Sequence, residues 1–127
     1  IYFGKRGRKL VFGLPGNPAS VFTCFYEHVF PALRGLCGFK KVHLLSKTAC
    51  LQTDVKADRS RHLFLKGRLS FPLNGGEVTA LRHQASHMIS SLCDANCFIS
   101  IPPHSGVLRK GAKVEAHLLP CDGGNIE

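Results

Sequence analysis

The sequence predicts a mixed fold: a strand–loop–helix unit followed by a small all-β, barrel-like domain of five or six strands. Three observations predict it. An apolar run at residues 9–14 breaks sharply at Pro15-Gly16-Asn17-Pro18 and gives way to an apolar stripe of helical period. From about Lys41 onward, short strand-like segments recur between turn residues at near-regular spacing. The length of 127 residues suits one domain or two small ones, enough to bury roughly two-thirds of the unfolded surface.

Taken in order, Ile1-Tyr2-Phe3-Gly4 reads as strand and carries no initiator Met, as expected of a chain cut from something longer. Lys9-Leu10-Val11-Phe12-Gly13-Leu14 has the length and composition of a buried strand. Asn17 followed by Pro18 is a helix start. Asn accepts from orphan N–H groups, and Pro at the first helical position lacks an N–H that would go unpaired there. Val21, Phe22, Phe25, Val29, Ala32, Leu33 and Leu36 then form one face. Pro31 must kink this helix or end its first part, and Gly35 or Gly38 supplies the stop.

Gly35, Gly38 and Lys40-Lys41 mark the boundary between segments. Beyond it, Val42, Leu44 and Ser46 alternate with His43, Leu45 and Lys47. Further strands are expected at residues 49–56, 62–71, 77–82, 97–101 and 112–118. Asn74-Gly75-Gly76 signals a hairpin, and residues 86–92 read as a short helix or turn.

Composition narrows the function classes. The chain is 44% hydrophobic and 20% charged, with no apolar run near the roughly 18 residues of a membrane span. Seventeen Lys and Arg against eight Asp and Glu leave +9, which suits an anionic partner: nucleic acid, a phosphorylated small molecule or an oxyanion. The basic residues cluster at 5–9, 40–41, 59–68 and 109–113, each cluster also readable as a solvated turn or strand edge. The six cysteines (Cys24, Cys37, Cys50, Cys93, Cys97 and Cys121) include no C-x-x-C pair and mostly fall where a small apolar residue would serve. Cys93, Cys97, His83 and His87 come nearest to a metal cluster but lack ligand spacing. Reduced thiols in a cytoplasmic protein are the expectation.

The loop Leu14-Pro15-Gly16-Asn17-Pro18-Ala19-Ser20 is the most informative stretch. A strand feeding a glycine loop and a helix N-terminus directs backbone N–H groups at an anion, and Ser20 adds a hydroxyl. A well-capped helix after a tight turn reads equally well from the same residues.

Residues 11–20, with Phe25 and Pro31-Ala32-Leu33-Arg34, closely resemble the molybdopterin molybdenumtransferase family, the MoeA and gephyrin E-domain group. Arg61-His62-Leu63-Phe64 resembles that family's R-x-x-F, and Gln84-Ala85-Ser86-His87 its Q-G-S-H. Residues 90–96 are similar to its S-L-A-x-A-N, and residues 108–114 to its closing L-x-x-G-x-x-V. Two positions depart from the pattern: Ala85 replaces Gly, and Lys66 stands where Arg is usual, keeping charge without the bidentate fork.

The resemblance implies that residues 1–38 are the C-terminal end of a molybdopterin-binding α/β domain. Residues 41–120 become the C-terminal β-barrel and 121–127 a tail. It implies insertion of molybdate into adenylylated molybdopterin, with release of AMP, in a homodimer that uses Mg²⁺ bound mostly by residues outside this sequence. Pro15, Gly16, Asn17, Pro18 and Ser20 become the substrate loop, and Arg61 and Ser86 candidate oxyanion contacts. None is an acid, base or nucleophile, so catalysis would be positioning and charge stabilisation. The rival readings are a basic small-barrel nucleic-acid module and a gephyrin-like scaffold. Against the first, most of the nine Phe sit in apolar periodic positions, so neither nucleic acid nor membrane is the expected partner.

Overall fold

The computed structural model describes residues 1–82 and 90–120. They fall into two compact units, Ile1–Leu44 and a second that takes in residues 45–82 and 90–120.

In the first unit, β1 (Tyr2–Arg6) and β2 (Lys9–Gly13) form an antiparallel hairpin, in register from Tyr2↔Gly13 to Arg6↔Lys9. Gly7 turns the chain at φ 61°, the left-handed geometry that a two-residue hairpin turn asks of its first central position. Lys5, Arg6, Arg8 and Lys9 all lie exposed at this tip, so the first basic cluster is a solvated turn. The buried strand expected at residues 9–14 is half-exposed instead, with Val11 46% accessible. Among the described residues β1 is its sole strand partner, and a two-stranded ribbon cannot cover both faces of a strand.

The helical segment runs as α1 (Pro18–Cys24), one π turn (Phe25–Val29) and α2 (Phe30–Leu36). The π turn is how the chain absorbs Pro31. Phe30 donates its N–H five residues back, to Phe25 O, and the wider turn lets Pro31, which has no N–H, begin a fresh helix. Phe22, Phe25, Tyr26 and Phe30 stack along the segment with centroids 4.9–6.4 Å apart. Gly38, at φ 83°, is the stop. Its N–H donates to Gly35 O and that of Phe39 to Arg34 O, the paired bonds of a Schellman cap. The buried Arg34 stacks over Phe39 at 4.4 Å and donates from Nε to Lys41 O, which ties the post-helix chain back to α2.

The second unit is a closed barrel of β3 (Ser46–Leu51), β6 (Glu77–Ala80), β5 (Leu63–Ser70), β7 (Cys97–Ile101) and β9 (Lys113–Leu118), in that order. A two-residue ribbon, β4 (Val55–Lys56) against β8 (Val107–Leu108), stands beside it, and α3 (Ser90–Asp94) precedes β7. The mixed fold with a small five-stranded barrel therefore matches the sequence expectation.

Three boundaries differ. The alternation at residues 42–47 becomes strand only at Ser46, where the ladder with β9 begins at the Ser46↔His117 pair; one bond, from Leu118 N–H to Leu45 O, reaches beyond it. The single strand expected at 49–56 splits at residues 52–54, where Asp54 turns away to Arg109 and Lys110. The β5–β6 connection is longer than a two-residue turn: Gly75 N–H closes on Pro72 O, so Leu73-Asn74 forms the bend.

Strand alternation fills the barrel. Ala49, Leu51, Leu69, Val78, Cys97, Ile99, Ile101, Val114 and Ala116 point inward into one core. β7 is buried on both faces, because Phe98, of the opposite parity, is also fully covered. Gly67 faces the interior where space runs out. A Cβ there would lie 2.7 Å from Ile99 Cγ1.

Asn96 completes the sheet where β7 begins. Its Oδ1 accepts from Leu69 N–H at 2.7 Å and its Nδ2 donates to Leu69 O at 2.9 Å. The side-chain amide thus supplies a rung that no strand residue provides, while the Asn96 backbone bonds Gly67 O and Leu119 N–H. Asn96→Ala strands both backbone groups of the buried Leu69. We expect it to cost about 1–3 kcal/mol, seen in calorimetry as a Tm lowered by several degrees; an unchanged Tm contradicts the rung.

Candidate functional site

The loop before α1 is built to satisfy itself first. Asn17 is extended (φ −77°, ψ 125°), and its Oδ1 accepts from Ala19 N–H at 3.1 Å and Ser20 N–H at 3.3 Å. Val21 N–H closes on Asn17 O at 2.8 Å, and Pro18 has no N–H. Every helix-terminal amide from Pro18 to Val21 is thereby accounted for. The groups left without a protein partner among the described residues are the N–H of Gly16, the N–H of Asn17 and Ser20 Oγ. Gly16 is open, since a Cβ there would meet nothing within 4 Å. Cap and open loop coexist in one stretch, and the two unpaired amides lie just upstream of the helix.

Arg61 belongs to the second unit and is held by a local acid. Asp58 Oδ1 accepts from Ser60 N–H, Ser60 Oγ and Arg61 N–H at 2.9–3.0 Å. Its Oδ2 accepts from Arg61 Nε at 3.2 Å and Nη2 at 3.0 Å. One edge of the guanidinium fork is spent on Asp58, while Nη1 has no partner among the described residues. Arg61 is 78% exposed. The Ser60 N–H bond above all, and then the Arg61 side chain, hold the Asp58 carboxyl at about 2, below the ordinary 3.8. Ser86, with Gln84, Ala85, His83 and His87, lies outside the described residues, as does Cys121.

The outer wall of the barrel carries polar chemistry that the sequence reading missed. His62 Nε2 lies 2.8 Å from Ser100 Oγ. His62 stacks on Phe64 at 4.8 Å, and Phe64 leans on His117 at 5.9 Å. Lys66 is buried on this same strand parity, and burial pushes its ammonium below the ordinary value. The signal was available in the strand itself, since Phe98 and Ser100 alternate with three inward apolar residues.

The five described cysteines are free thiols. Cys97 alone among them is buried, and burial pushes its thiol up to about 11. Cys37 and Cys93 are exposed, so neither replaces a small core residue. No three His, Cys, Asp or Glu converge among the described residues, and Asp54 and Asp58 are each taken by an arginine. The donor set of these residues does not fit a Mg²⁺ site, which asks for free carboxylates and water. No helix among the described residues is long and apolar enough to cross a membrane.

Residues 48–119 match a family model described as the MoeA C-terminal region, domain IV. The chain is 28% identical over 119 residues to a molybdopterin molybdenumtransferase of Staphylococcus aureus, covering 94% of this chain and 28% of that protein. It is 33% identical over 118 residues to gephyrin of Dictyostelium discoideum, covering 87% and 16%. A crystal structure of the molybdopterin biosynthesis MoeA protein from a Pyrococcus superposes with a TM-score of 0.70 at 32% identity, covering 91% of this chain and 28% of that one. The chain thus spans little more than a quarter of the molybdenumtransferase and MoeA chains and about a sixth of gephyrin.

The Asp58 clamp has a pH signature. A carboxyl depressed from 3.8 to about 2 stabilises the fold above its unfolded value, and that stabilisation is lost as pH falls from about 4 through 2. In a carbon-detected NMR titration, Asp58 should ionise near the lower value and move upward in Arg61→Ala. An ordinary midpoint in the unaltered chain contradicts the clamp.

Proposed function

Since this chain belongs to the MoeA C-terminal region family, we propose that it is part of a molybdopterin molybdenumtransferase that inserts molybdate into adenylylated molybdopterin, with release of AMP. In this reading residues 1–38 end the molybdopterin-binding α/β domain and residues 41–120 are the C-terminal barrel. The loop supplies Pro15, Gly16, Asn17, Pro18 and Ser20 to substrate, and Arg61 and Ser86 contact the oxyanion. The complete enzyme works as a homodimer.

The observation that carries the reading is the presentation of Arg61. Molybdate is a tetrahedral dianion with no proton to give and no apolar surface. A protein recognises such an ion with fixed donors and positive charge. Asp58 fixes the Arg61 guanidinium by two bonds and leaves Nη1 directed elsewhere. The loop adds the Gly16 and Asn17 amides and a hydroxyl at Ser20, all on backbone stiffened by Pro15 and Pro18. These groups donate hydrogen bonds and neutralise charge; they transfer no proton at neutral pH. Their contribution is to bind and orient anionic substrate, which is positioning catalysis. No step is assigned to Mg²⁺, because the described residues do not fit it.

In the full-length enzyme, Arg61→Ala is expected to lower molybdate-dependent AMP release about 10- to 100-fold at limiting molybdate, the range for a lost charge-assisted contact. Thermal unfolding should be nearly unchanged, given the exposure of the side chain. Full activity under those conditions refutes the assignment. For the loop, Ser20→Ala combined with Gly16→Leu should abolish turnover, measured as molybdenum cofactor formed per enzyme. A fully active double variant removes the loop from the site.

A further inference from the structure

A cavity of about 430 Å³ lies against the β4–β8 ribbon, lined by Lys56, Ala57, Asp58, Arg59, Gly106 and Val107. Its frame is tied at both ends. Val55↔Leu108 and Lys56↔Val107 pair across the ribbon. At one end Arg109 Nη1 donates to Asp54 Oδ2 at 2.8 Å, and Lys110 N–H to Asp54 Oδ1 at 2.8 Å. At the other, Ala57 N–H donates to Gly106 O at 3.1 Å and His104 N–H to Asp58 O at 3.0 Å. Gly106 turns the second loop at φ 105°.

The charges around this frame do not cancel. Asp54 is taken by Arg109, and Asp58 by Arg61 and Ser60. Lys56 and Arg59 are exposed, both line the cavity, and neither has a partner among the described residues. A rigid, concave wall with two uncompensated cations, one a point charge and one a fork, complements a phosphoryl group. The lining contains no aromatic side chain, whereas single-stranded nucleic acid is held by stacking on aromatics as well as by charge. The ribbon is also only two residues long on each strand, a patch rather than a track.

We infer that this cavity is a binding subsite for a phosphate or diphosphate group, gripped by Lys56 and Arg59. It goes beyond the molybdate reading: the two share Asp58, which lines the cavity and holds Arg61, but neither Arg61 nor the Pro15–Ser20 loop lines it.

The test is a titration of the ¹⁵N-labelled chain with pyrophosphate at physiological salt. The Ala57, Arg59, Gly106 and Val107 amides should shift together and saturate. Lys56→Gln and Arg59→Gln should each weaken binding about tenfold, as for loss of one charge-assisted contact. Lys47→Gln, an exposed lysine of β3, should leave it unchanged. Shifts that never saturate, or an equal loss in Lys47→Gln, overturn the subsite in favour of general charge attraction. Tighter binding of an oligonucleotide at the same amides, growing with its length, overturns the phosphate assignment in favour of nucleic acid. Since the readout needs neither molybdate nor AMP release, its failure and that of the proposed enzyme activity are told apart.

Discussion

A five-stranded sheet closes here through its narrowest seam, and the second unit depends on that closure. β3 meets β6 in parallel over only Cys50↔Glu77 and Leu51↔Val78, sealed by bonds from Cys50 N–H to Gly76 O and Gln52 N–H to Val78 O at 2.9 Å. Without the seam the sheet has two open edges, and its inward side chains lose a common interior. Within the sheet, Gly67 of β5 and Ile99 of the adjacent β7 sit diagonally on the inner face, so close that Gly67 cannot carry a Cβ. The rim beside β7 is too short of strand to pair Leu69, so Asn96 substitutes a side-chain amide. The chain between β3 and β5 supplies β4 and the turn that bears Arg61, and the chain between β7 and β9 supplies β8, so two excursions from the barrel pair as the ribbon.

Acidic residues on that excursion act as organisers rather than as reagents. Asp54 staples the end of the ribbon, and Asp58 shapes a turn while fixing one edge of a guanidinium. Both carboxyls are held below the ordinary value by the donors they accept from, backbone N–H first. Because so few acids are present and these two are engaged, the local balance stays positive at Lys56, Arg59 and the outer edge of Arg61. The +9 of the chain is thus resolved into distinct fates. The hairpin tip of the first unit holds solvated charge, Arg34 and Lys66 are buried within their units, and the ribbon retains cations open to an anion.

The helix-start signals were legible because they are local. Asn17 caps two amides, Pro18 begins the helix and Gly38 ends it, each through geometry within a few residues. Pro31 announced a disturbance, but not that a π turn would absorb it, since a missing N–H can be met by a kink, a break or a wider turn alike. Val42 to Lys47 alternate as well as any strand, yet the ladder begins at Ser46, because a strand needs a paired backbone as well as an alternating pattern. Arg61 could be singled out from its motif. That Asp58 would hold half of its fork could not, for sequence spacing does not say which donors a carboxylate will accept.

The sequence by itself determined the order of a helix-bearing unit and a small barrel, the caps, the glycine turns and the family motifs. These arise from backbone sterics and periodicity acting over one to seven residues. Tertiary structure alone decided that β7 is covered on both faces, that Asn96 closes the rim, and that Lys56 and Arg59 are left uncompensated beside a cavity. Those outcomes depend on which residues distant in sequence meet when the sheet closes, and pairing across a seam is a property of the closed sheet, not of any segment within it.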